Sequence, residues 1–243
     1  LQGRIIHTQG RGIKQNQMKI LALELSTHIG SLALLDGDAV TCHKEWVAEG
    51  RQLRPIFVDI HALSAAGVWA WEGLDHFAVG VGPGAFSGLR MAVAGIRGLA
   101  LSDNKPVMAV SSASALAWSV LKETGAPRVV VLGDARRHEL WAGCFGWEQG
   151  QMSRLGDWIV TEADHLPALL KMPGTVWVTS DWDRIQEPLT THCPADVVLI
   201  QEARIPQAAM VARVVAQRVA AGLQGEALAP IYVHPAVSVA PRF

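Results

Sequence analysis

The stretch MKILALELSTHIGSLALLDGDAVTCHKEWV, residues 18–47, decides the fold. It opens on MKILALELS, a nearly unbroken apolar run of the kind a strand buried on both faces requires. GSLALLDGDAVTCHKEWV then reads as two strands joined at Asp36-Gly37-Asp38, because Asp-Gly between apolar runs supplies the positive φ that a tight hairpin needs. Three consecutive antiparallel strands are therefore predicted at the head of the fold.

Working outward, Leu53, Ile56, Phe57, Ile60 and Leu63 recur at helical spacing, so one amphipathic helix is predicted over 52–66, with Pro55 in its first turn and Gly67 as its stop. HFAVGVG is a short buried strand, and GVGPGAFSGLRMAVAGIRGLA, residues 80–100, is a glycine-rich turn running into a helix over about 88–101. KPVMAV, RVVVLGD, HELWAGCFGWE, TVWVTS and DVVLI read as further strands, and SASALAWSVLKETG as a helix. Val211, Val214, Val215 and Val219 mark a last helix between Pro206 and Gly222. A strand-strand-strand-helix-strand-helix opening followed by a second mixed half predicts two α/β lobes descended from a duplication. Residues 147–205 carry the least decisive pattern.

Composition bounds what such a chain does. With 243 residues, half of them apolar and 18% charged, it can bury a substantial core. A net charge of −1, from 21 basic and 22 acidic residues, draws it onto neither nucleic acid nor an anionic membrane, so RNA contact is expected through a partner. Cys42, Cys144 and Cys193 are odd in number and far apart, which fits a reducing cytoplasm better than a disulfide framework. The longest weakly polar run, VMAVSSASALAWSVL, is too short and serine-rich to span a bilayer. Residues 1–17 carry three cations, one histidine and no acid; they are expected to be a disordered leader, tag or read-through ahead of Met18.

The glycine-rich turn invites comparison with phosphate loops. No lysine follows Gly82 and Gly84 before Lys105, so a P-loop is excluded. The dinucleotide fingerprint fails as well, with Ser87 where a glycine should stand and Pro83 removing an N–H. Two readings remain: a tight connector, or an anion site using Ser87 as N-cap and the N–H groups of Gly88, Leu89 and Arg90. The helix that follows favours the connector. Ala92, Ala94, Gly95, Gly98 and Ala100 sacrifice helix propensity, about 1 kcal/mol per glycine, and close approach of another helix is the usual compensation.

Taken together, ILALELSTHIGSLALLDGD, GVGPGAFSGLRMAVAGIRGLAL, VVVLGDARRHELWAG and the tail APIYV resemble, in order and spacing, the bacterial tRNA threonylcarbamoyladenosine biosynthesis protein TsaB (YeaZ) family. The resemblance covers Met18 to about Gly146 well and then thins until 229–233. It implies an α/β actin-like ATPase (ribonuclease H-like, duplicated) fold, with lobes over 18–105 and 106–243 and a last helix returning to the first lobe. The element order agrees. It also implies a non-catalytic subunit that binds and positions a catalytic threonylcarbamoyltransferase paralogue, in a complex with a small P-loop ATPase that modifies the adenosine beside the anticodon.

Residue roles follow from the resemblance. A vestigial nucleotide cleft would involve Glu24, Ser26, Thr27, Gly82, Gly84, Ser87 and Gly88. The family usually keeps aspartate where this chain has Glu24, so no cofactor is expected to be required and any ATP or ADP binding is expected to be weak. Pairing with the paralogue, or with a second copy as a homodimer, would use Leu53, Ile56, Ile60, Leu89, Arg90, Val93, Gly95, Ile96 and Arg97. Asp134, Arg136 and Arg137 form either a polar turn or a contact with a partner or tRNA. The paralogue holds its metal with an HxxxH pair. Here histidines stand at 7, 28, 43, 61, 76, 138, 165, 192 and 234, no two of them three or four apart, and HExxH is missing too. The rival reading is a free-standing actin-like-fold ATPase or small-molecule kinase.

Overall fold

The computed structural model describes residues 18–47, 56–65, 73–101 and 104–233. Leu53 and the side chain of Ile56 lie outside that description, as do residues 1–17.

The opening stretch folds as the sequence requires: β1 Lys19–Glu24, β2 Ile29–Asp36 and β3 Ala39–Val47 form an antiparallel meander, with Gly37 at φ 58 in the turn. After α1 Ile56–Ala65 come β4 His76–Gly80, α2 Phe86–Leu101 and β5 Val107–Val110. β4 lies parallel to β1, and β5 parallel to β4, giving the sheet order β3-β2-β1-β4-β5. The first sheet thus runs to residue 110, beyond the lobe boundary expected at 105.

The second half repeats the plan. Following α3 Ser112–Thr124, β6 Arg128–Arg136 and β7 Glu139–Glu148 make a hairpin. Two short strands, β8 Gln151–Arg154 and β9 Ile159–Glu162, share the outer edge of β7 and together stand where β3 stands in the first sheet. β10 Thr175–Thr179 lies parallel to β6, α4 Trp182–His192 follows, and β11 Val198–Ala203 pairs parallel to β10. Two sheets of one strand order, antiparallel on one side of the first strand and parallel on the other, are what duplication predicts.

The helix that ends each half packs on the sheet of the other. α3 lies on β6 and β7, while α5 Ala208–Ala220 lies on β1, β2 and β4, and the two helices pack on each other. Their ends are well specified. Ser111 Oγ accepts from Ser114 N at 3.0 Å, and Gly125 at φ 67 returns its N–H to Leu121 O. The α5 start is capped from outside, Ala208 N donating to Ser31 Oγ on β2 at 2.8 Å. Trp118 Nε1 donates to Gln217 Oε1 at 3.0 Å across the helix pair.

Strand alternation sorts the core. Ile20 and Ala22 of β1, with Val129 and Val131 of β6, face the shared α3/α5 layer. Leu21 and Leu23 face α2 and Ile60 of α1, while Val130 and Leu132 face Ile185 and Leu189 of α4. The middle cluster draws on both halves, so the lobes are joined through one continuous apolar core.

Candidate functional site

A cleft of about 900 Å³ opens between the lobes. Its walls are the β1–β2 turn at Ser26–His28, the β4–α2 turn at Pro83–Gly88, the β6–β7 turn at Asp134–Arg136, the β10–α4 turn at Ser180–Arg184, and Ile231 to Val233 of the tail. Apart from the tail, each wall is a turn at the end of a central strand, which is where α/β sheets gather their ligand sites.

The nucleotide candidates divide. Ser26, Thr27, Gly84, Ser87 and Gly88 line the cleft, but Glu24 and Gly82 do not. Glu24 is fully buried, its Oε1 accepting from Ser26 N at 2.6 Å. Its Oε2 fills the place where a Cβ on Gly80 would stand. Burial pushes this carboxyl above its ordinary range; the Ser26 and Ser112 hydroxyls and nearby backbone N–H groups pull it back only in part. Although both hydroxyls approach the carboxyl, Oε2 has no hydrogen bond of good geometry. This group therefore stands behind the wall of the cleft and not on its surface.

The glycines have a different use from cradling phosphate. A Cβ at Gly84 would collide with the Ser26 carbonyl oxygen, and one at Gly88 with that of Leu25. Ala85 N already donates to Ser26 O at 2.6 Å. Gly82, at φ 95, exchanges backbone and side-chain hydrogen bonds with Ser112. The turn is thus laid against the β1–β2 turn, whose Leu25 and Ser26 carbonyl oxygens face Gly88 and Gly84 where an anion would need N–H groups. α2 begins at Phe86, so Ser87 lies in its first turn and is not the N-cap; Leu89 N donates to Ala85 O and is not free either. Thr27 Oγ1 is taken up by its own turn, donating to Ile29 O and accepting from Ile29 N.

Across the cleft, Asp134 organises the β6–β7 turn. Oδ1 accepts from Arg136 N at 2.7 Å, Oδ2 pairs with the Arg136 and Arg184 guanidinium groups at 3.0 and 3.5 Å, and Asp134 N donates to Asp181 Oδ2 at 3.0 Å. Arg136, Arg137 and His138 all stand at positive φ, 71, 55 and 66, each disfavoured by about 1 kcal/mol for a residue with a Cβ. The polar-turn reading accounts for Asp134, while the exposed Arg137 is left on the tip.

The indoles of Trp46 and Trp141 also line the cleft, each lying over a glycine directly across the hairpin, Gly30 and Gly133. Neither pair was legible as a cleft feature. Elsewhere, exposed Glu162, Asp164 and His165 bring one ligand atom each within 4.8 Å of one another, the described group best able to hold a metal ion.

Of the interface candidates, Ile60, Leu89, Val93 and Ile96 are corrected to core: none is more than 8% exposed, because Ile60, Val93 and Ile96 pack into the cluster on the sheet beneath α1 and α2 and Leu89 is buried beside Gly82. Gly95 is buried too. Arg90 and Arg97 remain on the surface.

Two lobes of this strand order with exchanged terminal helices define the actin-like ATPase fold. The sequence model of the family described as "TsaD: tRNA N6-adenosine threonylcarbamoyltransferase" matches residues 58–228. The chain belongs to that family, and within it resembles the TsaB (YeaZ) proteins. It is 31% identical over 143 residues to the tRNA threonylcarbamoyladenosine biosynthesis protein TsaB of Escherichia coli K12, covering 58% of either chain. It is 32% identical over 126 residues to that of Haemophilus influenzae, covering 51% of this chain and 52% of the relative. The chain therefore spans little more than half the length of these curated relatives. A solved structure, YeaZ from Pseudomonas aeruginosa, superposes with a TM-score of 0.74 at 28% identity, over 89% of this chain and all of that one. Among the described residues no helix is long and apolar enough to cross a membrane.

Proposed function

We propose that this chain serves threonylcarbamoyladenosine biosynthesis as a non-catalytic subunit that binds and positions the catalytic transferase paralogue, in a complex with the small P-loop ATPase, and meets tRNA through that complex. The names of its relatives support the pathway. The absence from the sequence of any histidine pair at helical spacing supports the division of labour.

The observation that carries the docking role is the outer face of α2. The helix spends Leu89, Ala92, Val93, Ile96 and Ala100 on its own core and leaves Phe86, Arg90, Ala94, Arg97 and Leu101 exposed along one stripe. Phe86 and Leu101 are 53% and 80% exposed, large apolar surfaces that the described residues leave open to solvent. Among the described residues no atom beyond the helix's own backbone lies within 4 Å of where a Gly98 Cβ would stand, so nothing in them requires a glycine there. Close approach from outside would.

Reconstitution tests the reading. With the purified paralogue, the P-loop ATPase and tRNA, adding this chain is expected to switch on formation of the modified nucleoside, measured by mass spectrometry. Unchanged yield without it, or group transfer by the chain alone, overturns the proposal. Arg97→Glu is expected to weaken paralogue binding about tenfold while leaving the chain folded.

Any nucleotide affinity is assigned to the cleft and is weak, because Glu24 is sealed away and two carbonyl oxygens face the turn. Titration calorimetry with magnesium–ATP and with ADP is expected to give dissociation constants of about 1 mM or weaker. Micromolar binding with turnover would restore the free-standing ATPase.

A further inference from the structure

The tail APIYV has so far no task in the proposed role. After α5 the chain turns back across the first lobe as a strap: Glu226 N donates to Ala109 O at 2.8 Å, Leu228 and Ile231 pack onto the α2 side of the core, and Ile231 N donates to Val81 O at 2.8 Å. Gly225 lies so close to Met108 and Ala109 that a side chain there would collide with both. This seating delivers Tyr232 to the head of the α2 stripe.

There it completes a cluster of three side chains. The Arg90 guanidinium carbon lies 3.8 Å over the Phe86 ring centre, Arg90 Nε donates to the Tyr232 hydroxyl at 3.0 Å, and the Phe86 and Tyr232 rings are 5.2 Å apart. Both rings remain about half exposed, so the cluster is not core packing. Holding a long cation in one geometry at a surface sacrifices rotamer entropy for little stability. Its consequence is different: Nε is occupied and the plane stacked, while the two terminal nitrogens of this exposed residue have no partner among the described residues and are left for an acceptor from outside.

We propose that Tyr232 is a positioning residue for docking: from the strap it presets Arg90 to receive a carboxylate of the catalytic paralogue, making strap and α2 one binding surface. This rests on the reading that α2 docks that paralogue. A planar guanidinium fork matches a carboxylate bidentately, and preset Arg and Tyr side chains are the groups that dominate interfaces. The partner is a protein. The rest of the stripe is Ala94, Gly98 and Leu101 with Arg97 as its second charge, whereas an RNA backbone calls for several cations.

The test measures affinity of the purified chain for the purified paralogue of the same organism. Arg90→Ala is expected to weaken binding about 30-fold and Tyr232→Phe, which keeps the ring but loses the hydroxyl, about fivefold with an unchanged melting temperature. Because Tyr232 acts through Arg90, the double variant is expected to bind no more weakly than Arg90→Ala. Wild-type affinity in Tyr232→Phe, or full additivity in the double variant, overturns the proposal while leaving the docking role standing. Failure of the wild-type chain to bind the paralogue at all removes both. If the substitutions alter self-association or tRNA binding instead, with paralogue affinity unchanged, the surface serves another occupant and the proposal is likewise overturned.

Discussion

Gly88→Ala is expected to destabilise the chain by about 3 kcal/mol, and Gly98→Ala, ten residues along the same helix, to stabilise it by as much as about 1 kcal/mol. At Gly88 the new methyl would collide with the Leu25 carbonyl oxygen, which is backbone at the end of a central strand and cannot swing aside. Relief requires α2 to retreat. That retreat would break the 2.6 Å bond from Ala85 N to Ser26 O and lift Ala92, Val93 and Ile96 off the sheet. At Gly98 the methyl meets nothing, so only the gain in helix propensity remains. Urea denaturation of both variants decides the matter; an unchanged midpoint in Gly88→Ala would show that the β4–α2 turn is not built on close backbone approach.

That contrast also explains what the sequence could and could not say about the turn. Spacing alone ruled out the phosphate loops, because lysine and glycine positions are fixed by chemistry. It could not say which glycine serves which neighbour. Gly84 and Gly88 are required by the carbonyls of a turn nearly sixty residues earlier, and only the folded register brings those together. The helix stripe was similarly half legible. The family resemblance nominated Leu89, Val93 and Ile96 as an interface, but whether such residues meet a partner or their own core is a question of packing, and here the core takes all three.

The succession of strands along the chain was readable because it rests on local signals: unbroken apolar runs for central strands and Asp-Gly for the first hairpin. The Gly–Trp pairs lining the cleft were not. Asp36 pairs with Ala39 and Leu35 with Val40, but beyond a bulge Leu34 pairs with Cys42. An unbroken register would set Gly30 against Glu45; the bulge sets it against Trp46, which fills the space over the glycine. A second irregularity between Asp134 and Arg136 does the same for Gly133 and Trp141. Residues 147–205 stayed opaque for a related reason, since the place of one strand is shared by two short ones, and each is too brief for alternation to show.

Glu24→Gln is expected to reverse sign with pH. Burial holds the Glu24 carboxyl above its ordinary value of 4.5, so the folded chain keeps a proton that the unfolded chain has already lost. The stabilisation from that proton is fully present below 4.5 and is lost, at about 1.4 kcal/mol per pH unit, as pH rises from there through the folded value. Glutamine keeps a donor and an acceptor at the site and never ionises. Because every other carboxylate titrates equally in both chains, the difference between their stabilities isolates this one group. Near pH 5 the wild-type chain should match or exceed the variant, and as pH rises the variant should gain on it steadily. A stability difference that stays flat between pH 5 and 8 would mean that Glu24 ionises normally. The carboxylate would then have to reach water or a cation through the cleft, and the argument that it is sealed away from any nucleotide would fail with it.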